Sequence, residues 1–137
     1  MEFAGTNYSS VGIAVVAGYA FGAAWYMVLS KPWIAATGRT EAEIKASFSP
    51  VVYIVVFIAQ LVMAIFLAGA MGHVAAAAMT PGGGLLSGAI IWLGFVITTM
   101  VVNHGFGGQK RMLTVIDGTH WLGVLLIQGL IIGWIGV

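Results

Sequence analysis

Three polar side chains near the C-terminal end of the chain could perform proton or ligand chemistry: Asp117, His120 and Gln128. A helix would place them on one face, because His120 follows Asp117 by about one turn and Gln128 follows it by about three. A carboxylate beside an imidazole can exchange protons near neutral pH. The neighbouring residues are mostly apolar, so we expect this stripe to face protein and not lipid.

The third apolar segment could supply partners for Asp117. Asn103 and His104 end that segment, and Lys110 and Arg111 follow in the connection to Asp117. An aspartate at the centre of a membrane helix costs about 2.5 to 3.5 kcal/mol, and less toward the interface, so a partner is expected. We therefore predict a polar cluster at one mouth of the helices, formed by Asp117, His120, His104 and Asn103, with Gln128 deeper.

This cluster has three interpretations. In the first, which we favour because interhelical polar contacts are routine in membranes, Asp117 caps its helix or pairs with Arg111. In the second, Asp117 is the carboxylate of a proton-linked or solute-binding site, with His120 or His104 as a relay. In the third, these residues ligate a metal ion or a haem, although no sequence spacing fixes that geometry. We expect no cofactor, and the metal question stays open.

No arrangement of residues indicates catalysis. The hydroxyls near His120 are Thr114 and Thr119, and no signature of a nucleophile beside a base surrounds them. The glycines 82–84 are followed by apolar residues and not by the Lys-Ser/Thr of a phosphate loop. The first apolar segment also lacks the acidic residue that small multidrug exporters need. We therefore expect a protein that is not an enzyme.

The distribution of charge defines the elements that must position these residues. Only 7% of the 137 residues are charged, and they fall at Glu2, in 31–45 and in 110–117. A soluble domain carries about 25% charged residues over its whole surface, so this pattern indicates an integral membrane protein in contact with the lipid bilayer. The net charge of +1, without a Lys/Arg cluster, argues against nucleic acid as a partner.

Four apolar segments are long enough to cross about 30 Å of hydrocarbon as helices. We predict an all-α, polytopic membrane protein with one transmembrane domain over 1–137 and four transmembrane helices in a small bundle. Lys31-Pro32 should stop the first helix, Ser49-Pro50 should start the second, and 80–84 should form a tight turn. The predicted spans are about 10–29, 50–72, 85–102 and 113–137.

The first loop should contain a short interfacial helix. Thr40 and Glu43 fit a capping box, in which each side chain satisfies a free amide at a helix start. Ile44 and Phe48, four residues apart, would give that helix an apolar face, and Trp33 suits an aromatic anchor at the lipid headgroups.

Small residues at four-residue spacing indicate where helices pack closely. Because four spans bury few side chains, we expect a homo-oligomer or a subunit of a larger membrane complex, and each seam could join helices of one chain or of two. The predicted packing residues are Gly18, Gly22, Ala64, Ala68, Gly72, Gly129 and Gly133.

The basic residues predict the orientation in the membrane. All five Lys and Arg residues lie in the loops 30–49 and 103–112. The positive-inside rule makes those loops cytoplasmic, so both termini should lie outside, in the periplasm of a bacterium.

Three segments, 18–45, 103–111 and 116–133, resemble a bacterial membrane-protein family catalogued as domain of unknown function 1761. The most recognisable parts are Trp25-Tyr26, the Trp33 segment with its acidic short helix, and the Asp-Gly-small-aromatic opening of the last span. The resemblance covers nearly the whole chain and implies a four-span protein, but it supplies no catalytic residues. Where the family reads Asp-Ala-Gly, this chain reads Asp117-Gly118-Thr119, so no role transfers to positions 118 and 119.

Two functional hypotheses remain. The first is a non-enzymatic accessory or structural subunit of an assembly in the bacterial inner membrane. The alternative is a small-solute or ion transporter or binding protein, with a proton-linked site of Asp117, His120 and His104 at the cytoplasmic mouth. A transporter needs a polar path, yet the span interiors are apolar apart from a few side chains, which favours the structural role. These polar side chains are Gln60, Thr98, Thr99 and Gln128.

Overall fold

A computed structural model describes residues 5–74 and 79–136. Every regular element in this part of the chain is helical, so the predicted all-α fold is confirmed. The elements are α1 Tyr8–Val28, α2 Ser30–Thr37, α3 Glu41–Ser47, α4 Pro50–Val74, α5 Pro81–Ile91, a π-helical turn Trp92–Val96, α6 Ile97–Phe106 and α7 Arg111–Ile135.

Four helices are long and apolar enough to cross a membrane, as the sequence predicted. They are α1, α4, α7 and the third spanning helix Pro81–Phe106, in which α5, the π-helical turn and α6 follow one another without a break. The predicted third span, 85–102, is too short at both ends. The fourth helix begins at Arg111, two residues before the predicted start.

The first helix ends one residue before the predicted end at 29, but Lys31 and Pro32 lie inside the next helix and do not stop it. α1 ends at Val28, the chain bends at Leu29 (φ −100°, ψ 18°), and α2 begins at Ser30. Pro32 lies in the first turn of α2, where its missing N–H removes no helical hydrogen bond. The helix ends at Gly38, whose φ of 70° suits a glycine C-cap. The first loop therefore contains two short helices and not one.

The predicted capping box at the start of α3 is confirmed. Glu43 Oε2 accepts a hydrogen bond from the Thr40 amide at 2.8 Å, and Thr40 Oγ1 accepts one from the Glu43 amide at 3.2 Å. Two hydrogen bonds lower the pKa of the Glu43 carboxyl. The bond from the Thr40 backbone amide has the larger effect, and the bond with the Thr40 side chain has the next largest. Ile44 is buried, whereas Phe48 is 50% exposed and ends the helix, so Ile44 alone forms the buried apolar face.

The predicted tight turn at 80–84 is also wrong. Thr80 is the N-cap of α5 and accepts a hydrogen bond from the Gly83 amide at 2.9 Å, and Pro81 occupies the first helical position. The three glycines that follow belong to the helix. A Cβ at Gly84 would collide with the carbonyl oxygen of Gly129 on α7. The glycine run therefore allows two helix backbones to touch, which is a helix contact and not a turn.

The small residues divide into three sets in the structure. Gly129 and Gly133 of α7 lie against the backbone of Gly84 and Thr80, so their seam joins α5 and α7 within one chain. Gly18 and Gly22 of α1 face α7, and a Cβ at Gly18 would also press on Gln60 of α4.

The third set lies between α1 and α4. Ala64 and Ala68 of α4 are fully buried with Ala14 and Val15 of α1 in the main hydrophobic core. Gly72 is exposed, so it takes no part in this packing. Of the four spanning helices, α7 has the largest buried share, 44% of its most apolar stretch.

Candidate functional site

Two aromatic side chains hold Asp117. The Tyr26 hydroxyl of α1 donates a hydrogen bond to Asp117 Oδ1 at 2.7 Å, and Trp33 Nε1 of α2 donates to the same oxygen at 3.0 Å. Asp117 is half-buried, and both donors are neutral. The carboxylate therefore ties the end of α1 and the following helix α2 to α7.

The two structural roles that the sequence favoured for Asp117, capping its helix and pairing with Arg111, are wrong. α7 begins at Arg111, six residues before Asp117, so the carboxylate lies too far inside the helix to cap it. Within 5–74 and 79–136 no ion pair joins Arg111 to Asp117. Lys110 instead donates to the backbone oxygen of Ala35 in α2, at 2.9 Å.

Two further tryptophans bond to the backbone on either side of Asp117. Trp25 Nε1 donates to the Ile116 carbonyl at 3.1 Å, and Trp92 Nε1 donates to the Gly118 carbonyl at 2.7 Å. Four donors thus converge on one turn of α7 from α1, α2 and the third spanning helix. We call this group the aromatic clasp, and its members are Trp25, Tyr26, Trp33 and Trp92.

The π-helical turn and a glycine position Trp92. Trp92 begins the turn, and its carbonyl accepts from the Ile97 amide five residues later, which widens the helix locally. A Cβ at Gly118 would lie 2.7 Å from Ile97 Cδ1, so a residue without a side chain lets the third spanning helix approach α7 here. The wide turn and the glycine together bring the Trp92 indole within hydrogen-bond distance of α7.

His120 lies one turn from Asp117 and is almost completely buried, with 4% of its surface exposed. Its ring contacts Tyr26 at a centroid distance of 4.8 Å and stacks on Phe21 at 6.2 Å. A Cβ at Gly22 would lie 2.8 Å from His120 Nε2, so the glycine leaves the space for the ring. No described residue bonds to His120 Nδ1. Asp117 and His120 therefore share Tyr26 as a neighbour, on the side of α7 that faces α1.

Gln128 lies deeper on the same side of α7, next to Gln60 of α4. Its Nε2 donates to the Gln60 backbone carbonyl at 3.2 Å. The two side chains are 0% and 1% exposed, and neither Oε1 atom accepts a hydrogen bond from the described part of the chain. Val124, fully buried, lies between Gln128 and His120 along the helix. The polar stripe is therefore interrupted and does not form a continuous path.

His104 and Asn103 do not join Asp117. His104 Nδ1 pairs with the Thr114 hydroxyl at 2.8 Å, which ties α6 to α7. Asn103 is exposed beside Thr98 and Thr99 in a shallow groove on α6. The donors to Asp117 come instead from α1 and α2. The structure thus brings together two residues of the predicted cluster, Asp117 and His120, and separates the other three.

The arrangement around Asp117 is better suited to holding helices together than to binding a metal ion. No group of three or more His, Asp or Glu side chains that could hold a metal ion comes together in the residues the structure describes. The Asp117 carboxylate accepts two hydrogen bonds from fixed aromatic donors, and charge-assisted bonds of this kind are among the stronger ones in proteins. The aromatic clasp therefore connects three helical segments to α7 at a single turn.

The residues of the aromatic clasp were not predicted as partners of Asp117. Trp25 and Tyr26 at the end of the first span and Trp33 in the first loop were visible as aromatic residues, but aromatic residues there are typical of lipid-interface anchors. One signal could have identified them. Their N–H and O–H groups are side-chain donors at about the same depth as Asp117, at the end of the first span and just after it.

Comparison with known proteins gives a family but no activity. A family model described as "Protein of unknown function (DUF1761)" matches residues 9–133. This range contains α1 without its first residue, α7 without its last two, and every helix between them. No curated protein and no solved structure matches the chain.

Proposed function

This chain belongs to the DUF1761 family, and from its geometry we propose that it is a non-enzymatic structural or accessory subunit of an assembly in the bacterial inner membrane. The observation that carries this proposal is the low burial of the third spanning helix, Pro81–Phe106. Only 6% of its most apolar stretch is buried, against 22% to 44% for the other three spanning helices.

The exposed side of α6 carries polar and small residues as well as apolar ones. The hydroxyls of Thr98 and Thr99 bond back to carbonyls of their own helix, at 3.0 Å and 2.6 Å. The side-chain amide of Asn103 is exposed, and none of the described residues forms a hydrogen bond with it. We call this surface the outer face, and its residues are Thr98, Thr99, Val102, Asn103 and Gly105.

Contact with another helix would give the polar side chains of the outer face hydrogen-bond partners that lipid tails do not offer. An amide has no hydrogen-bond partner among lipid tails, and asparagine and threonine commonly bond across helices in membranes. Gly105 has open space where a Cβ would stand, so a second helix backbone can approach closely.

A second copy of this chain is the occupant that we propose. The outer face carries no charge, so two copies do not repel each other there. Asparagine and threonine side chains both donate and accept, so the face is complementary to itself across a two-fold axis along the membrane normal. Two copies in the same orientation would then place their Asn103 side chains at the same depth.

The aromatic clasp supports a structural role for Asp117. The alternative function, a small-solute or ion transporter with a proton-linked site, would need Asp117, His120 and His104 to act together. His104 instead bonds to Thr114, and Val124 interrupts the polar stripe toward Gln128. The geometry therefore favours the subunit over the transporter.

The orientation in this proposal is the one that the basic residues predict. The first loop, 30–49, and the segment 107–111, which together carry all five Lys and Arg residues, lie on the cytoplasmic side, and both termini lie outside.

Cysteine cross-linking in native membranes tests the outer face. The chain has no cysteine, so Val102→Cys introduces one thiol at the centre of that face. Ala24→Cys is the matched control, because Ala24 is exposed on α1, outside the outer face, and precedes the end of its helix by four residues, as Val102 does. We expect mild oxidation to produce a covalent dimer of Val102→Cys in several-fold higher yield than of Ala24→Cys.

A second substitution tests the polar contact itself. Adding Asn103→Leu to Val102→Cys should lower the dimer yield by about threefold, which corresponds to one interhelical polar contact of about 0.6 kcal/mol. Equal yields from Val102→Cys and Ala24→Cys would contradict the outer face as the contact between copies.

A further inference from the structure

Two buried amide oxygens in the interior of the protein have no hydrogen-bond donor among the described residues: Gln60 Oε1 and Gln128 Oε1. Their side chains are 1% and 0% exposed, and the Gln128 Nε2 bond to the Gln60 backbone holds the two residues together. This pair is separate from the aromatic clasp and from the outer face.

The pair lies at mid-membrane depth. Gly18, which faces both amides, has ten residues of α1 on each side. Gln60 lies ten residues after the start of α4, near the middle of its spanning part, Pro50–His73. Water in bulk does not reach this depth, and an unsatisfied polar group in a membrane interior costs several kcal/mol.

The surrounding backbone cannot supply the missing donors. Gly18, Gln60 and Gln128 lie well inside α1, α4 and α7, where amide groups bond along their own helices. The backbone amides of these three helices therefore do not donate to the two oxygens.

The space beside the amides limits the size of that donor. A Cβ on Gly18 would lie 2.9 Å from Gln60 Oε1, 3.3 Å from Val124 Cγ1 and 3.5 Å from Gln128 Nε2. Even one added carbon would press on its neighbours, so a molecule of several heavy atoms does not fit against Gly18.

We propose that Gln60 and Gln128 form a binding site for one small hydrogen-bond donor, a water molecule or an ammonium ion, between α1, α4 and α7. Either ligand has a single heavy atom and enough hydrogens to donate to both carbonyl oxygens. Ordered waters in proteins commonly bond to polar groups that would otherwise be unsatisfied. The proposal does not depend on the function proposed above.

Solid-state nuclear magnetic resonance of the protein in liposomes tests this site. The chain has three glutamines, so selective ¹⁵N labelling of glutamine side chains gives three amide signals: Gln60, Gln109 and Gln128. Gln109 is exposed in the connection before α7 and serves as an internal standard for contact with water. Substituting Gln60→Met and Gln128→Met, one at a time, assigns the two buried signals.

The two ligands give different results. If water is the ligand, magnetisation should pass from water protons to the Gln60 and Gln128 amides as well as to Gln109. If ammonium is the ligand, ammonium chloride should shift the Gln60 and Gln128 signals, and sodium chloride at equal concentration should not. Absence of both effects would overturn the proposal and indicate that the two amides pair directly with each other.

Matched glycine variants locate the effect. Gly18→Ala should abolish the water transfer or the ammonium shift, because its methyl group presses on Gln60 Oε1. Gly12→Ala, on the same helix with nothing within 4 Å of the added carbon, should leave both unchanged. If Gly18→Ala does not fold, the measurement on the wild-type protein still decides whether a ligand is bound to the two amides. An unchanged effect in a folded Gly18→Ala protein would contradict this position for the site.

Discussion

Replacing Asp117 with leucine is expected to destabilise the folded protein by about 3 kcal/mol. The substitution removes the acceptor for the Tyr26 hydroxyl and the Trp33 indole, and a buried donor left without a partner costs about 1 to 3 kcal/mol. Asp117→Asn keeps an acceptor oxygen of the same size, so we expect a smaller loss of about 1 kcal/mol. Thermal unfolding in detergent measures both.

The position of α2 provides a second readout for Asp117. Trp33 lies on α2, so Asp117→Leu should speed hydrogen exchange in 30–37, whereas Asp117→Asn should change it little. The double variant with Tyr26→Phe should lose less stability than the sum of the two single variants, because both remove the same hydrogen bond. If Asp117→Leu matches the wild type in unfolding and in exchange, the aromatic clasp does not hold α2.

Gly84→Ala is expected to destabilise the protein by about 3 kcal/mol or more. Alanine normally stabilises a helix interior relative to glycine by about 0.5 to 1 kcal/mol. Here the added Cβ would collide with the Gly129 carbonyl oxygen, and a backbone cannot move aside as a side chain can. The two helices must separate, which disturbs packing along the whole α5–α7 contact. Unfolding in detergent should show the loss.

Gly82→Ala is the matched control for Gly84→Ala. Gly82 lies two residues earlier on the same helix, and nothing stands within 4 Å of a Cβ there. This variant should be as stable as the wild type or slightly more stable. If the two alanine variants unfold at the same temperature, α5 and α7 do not touch at Gly84.

The spanning helices were predictable because their physical cause lies in the local sequence. Apolar runs separated by short charged segments leave few alternatives to membrane helices. The capping box at Thr40 was predictable for the same reason, since its hydrogen bonds join residues only three apart. Local sequence also favoured a helix start at Pro50, which the structure confirms.

The misassigned segments depend on contacts between residues far apart in the chain. Glycines after a proline favour a turn, yet 82–84 is helical because Gly84 packs on Gly129, 45 residues later. Lys31-Pro32 is typical of the end of a helix. Hydrogen bonds of Trp33 and Lys110 nevertheless hold the following segment against α7, where it forms α2. No local pattern contains either contact.

The site was predicted in part. Asp117 stood out because membrane topology did not explain its charge, and His120 was correctly placed beside it. Their partners could not be identified, because the same tryptophan and tyrosine residues suit a lipid interface and a hydrogen bond to a carboxylate equally well. The position of His104 depends on the rotation of α6 relative to α7, which the sequence does not define.

The mass of the protein extracted together with its native lipids tests the central claim most directly. A single chain has a mass of 14.3 kDa. If it is a subunit of a membrane assembly, native mass spectrometry of lipid nanodiscs cut from the cell membrane should find two or more polypeptides in each particle, including two copies of this chain. The Asn103→Leu variant should increase the proportion of particles with a single copy of this chain by about threefold. Particles of the wild-type protein that contain one 14.3 kDa polypeptide and nothing else would contradict the account.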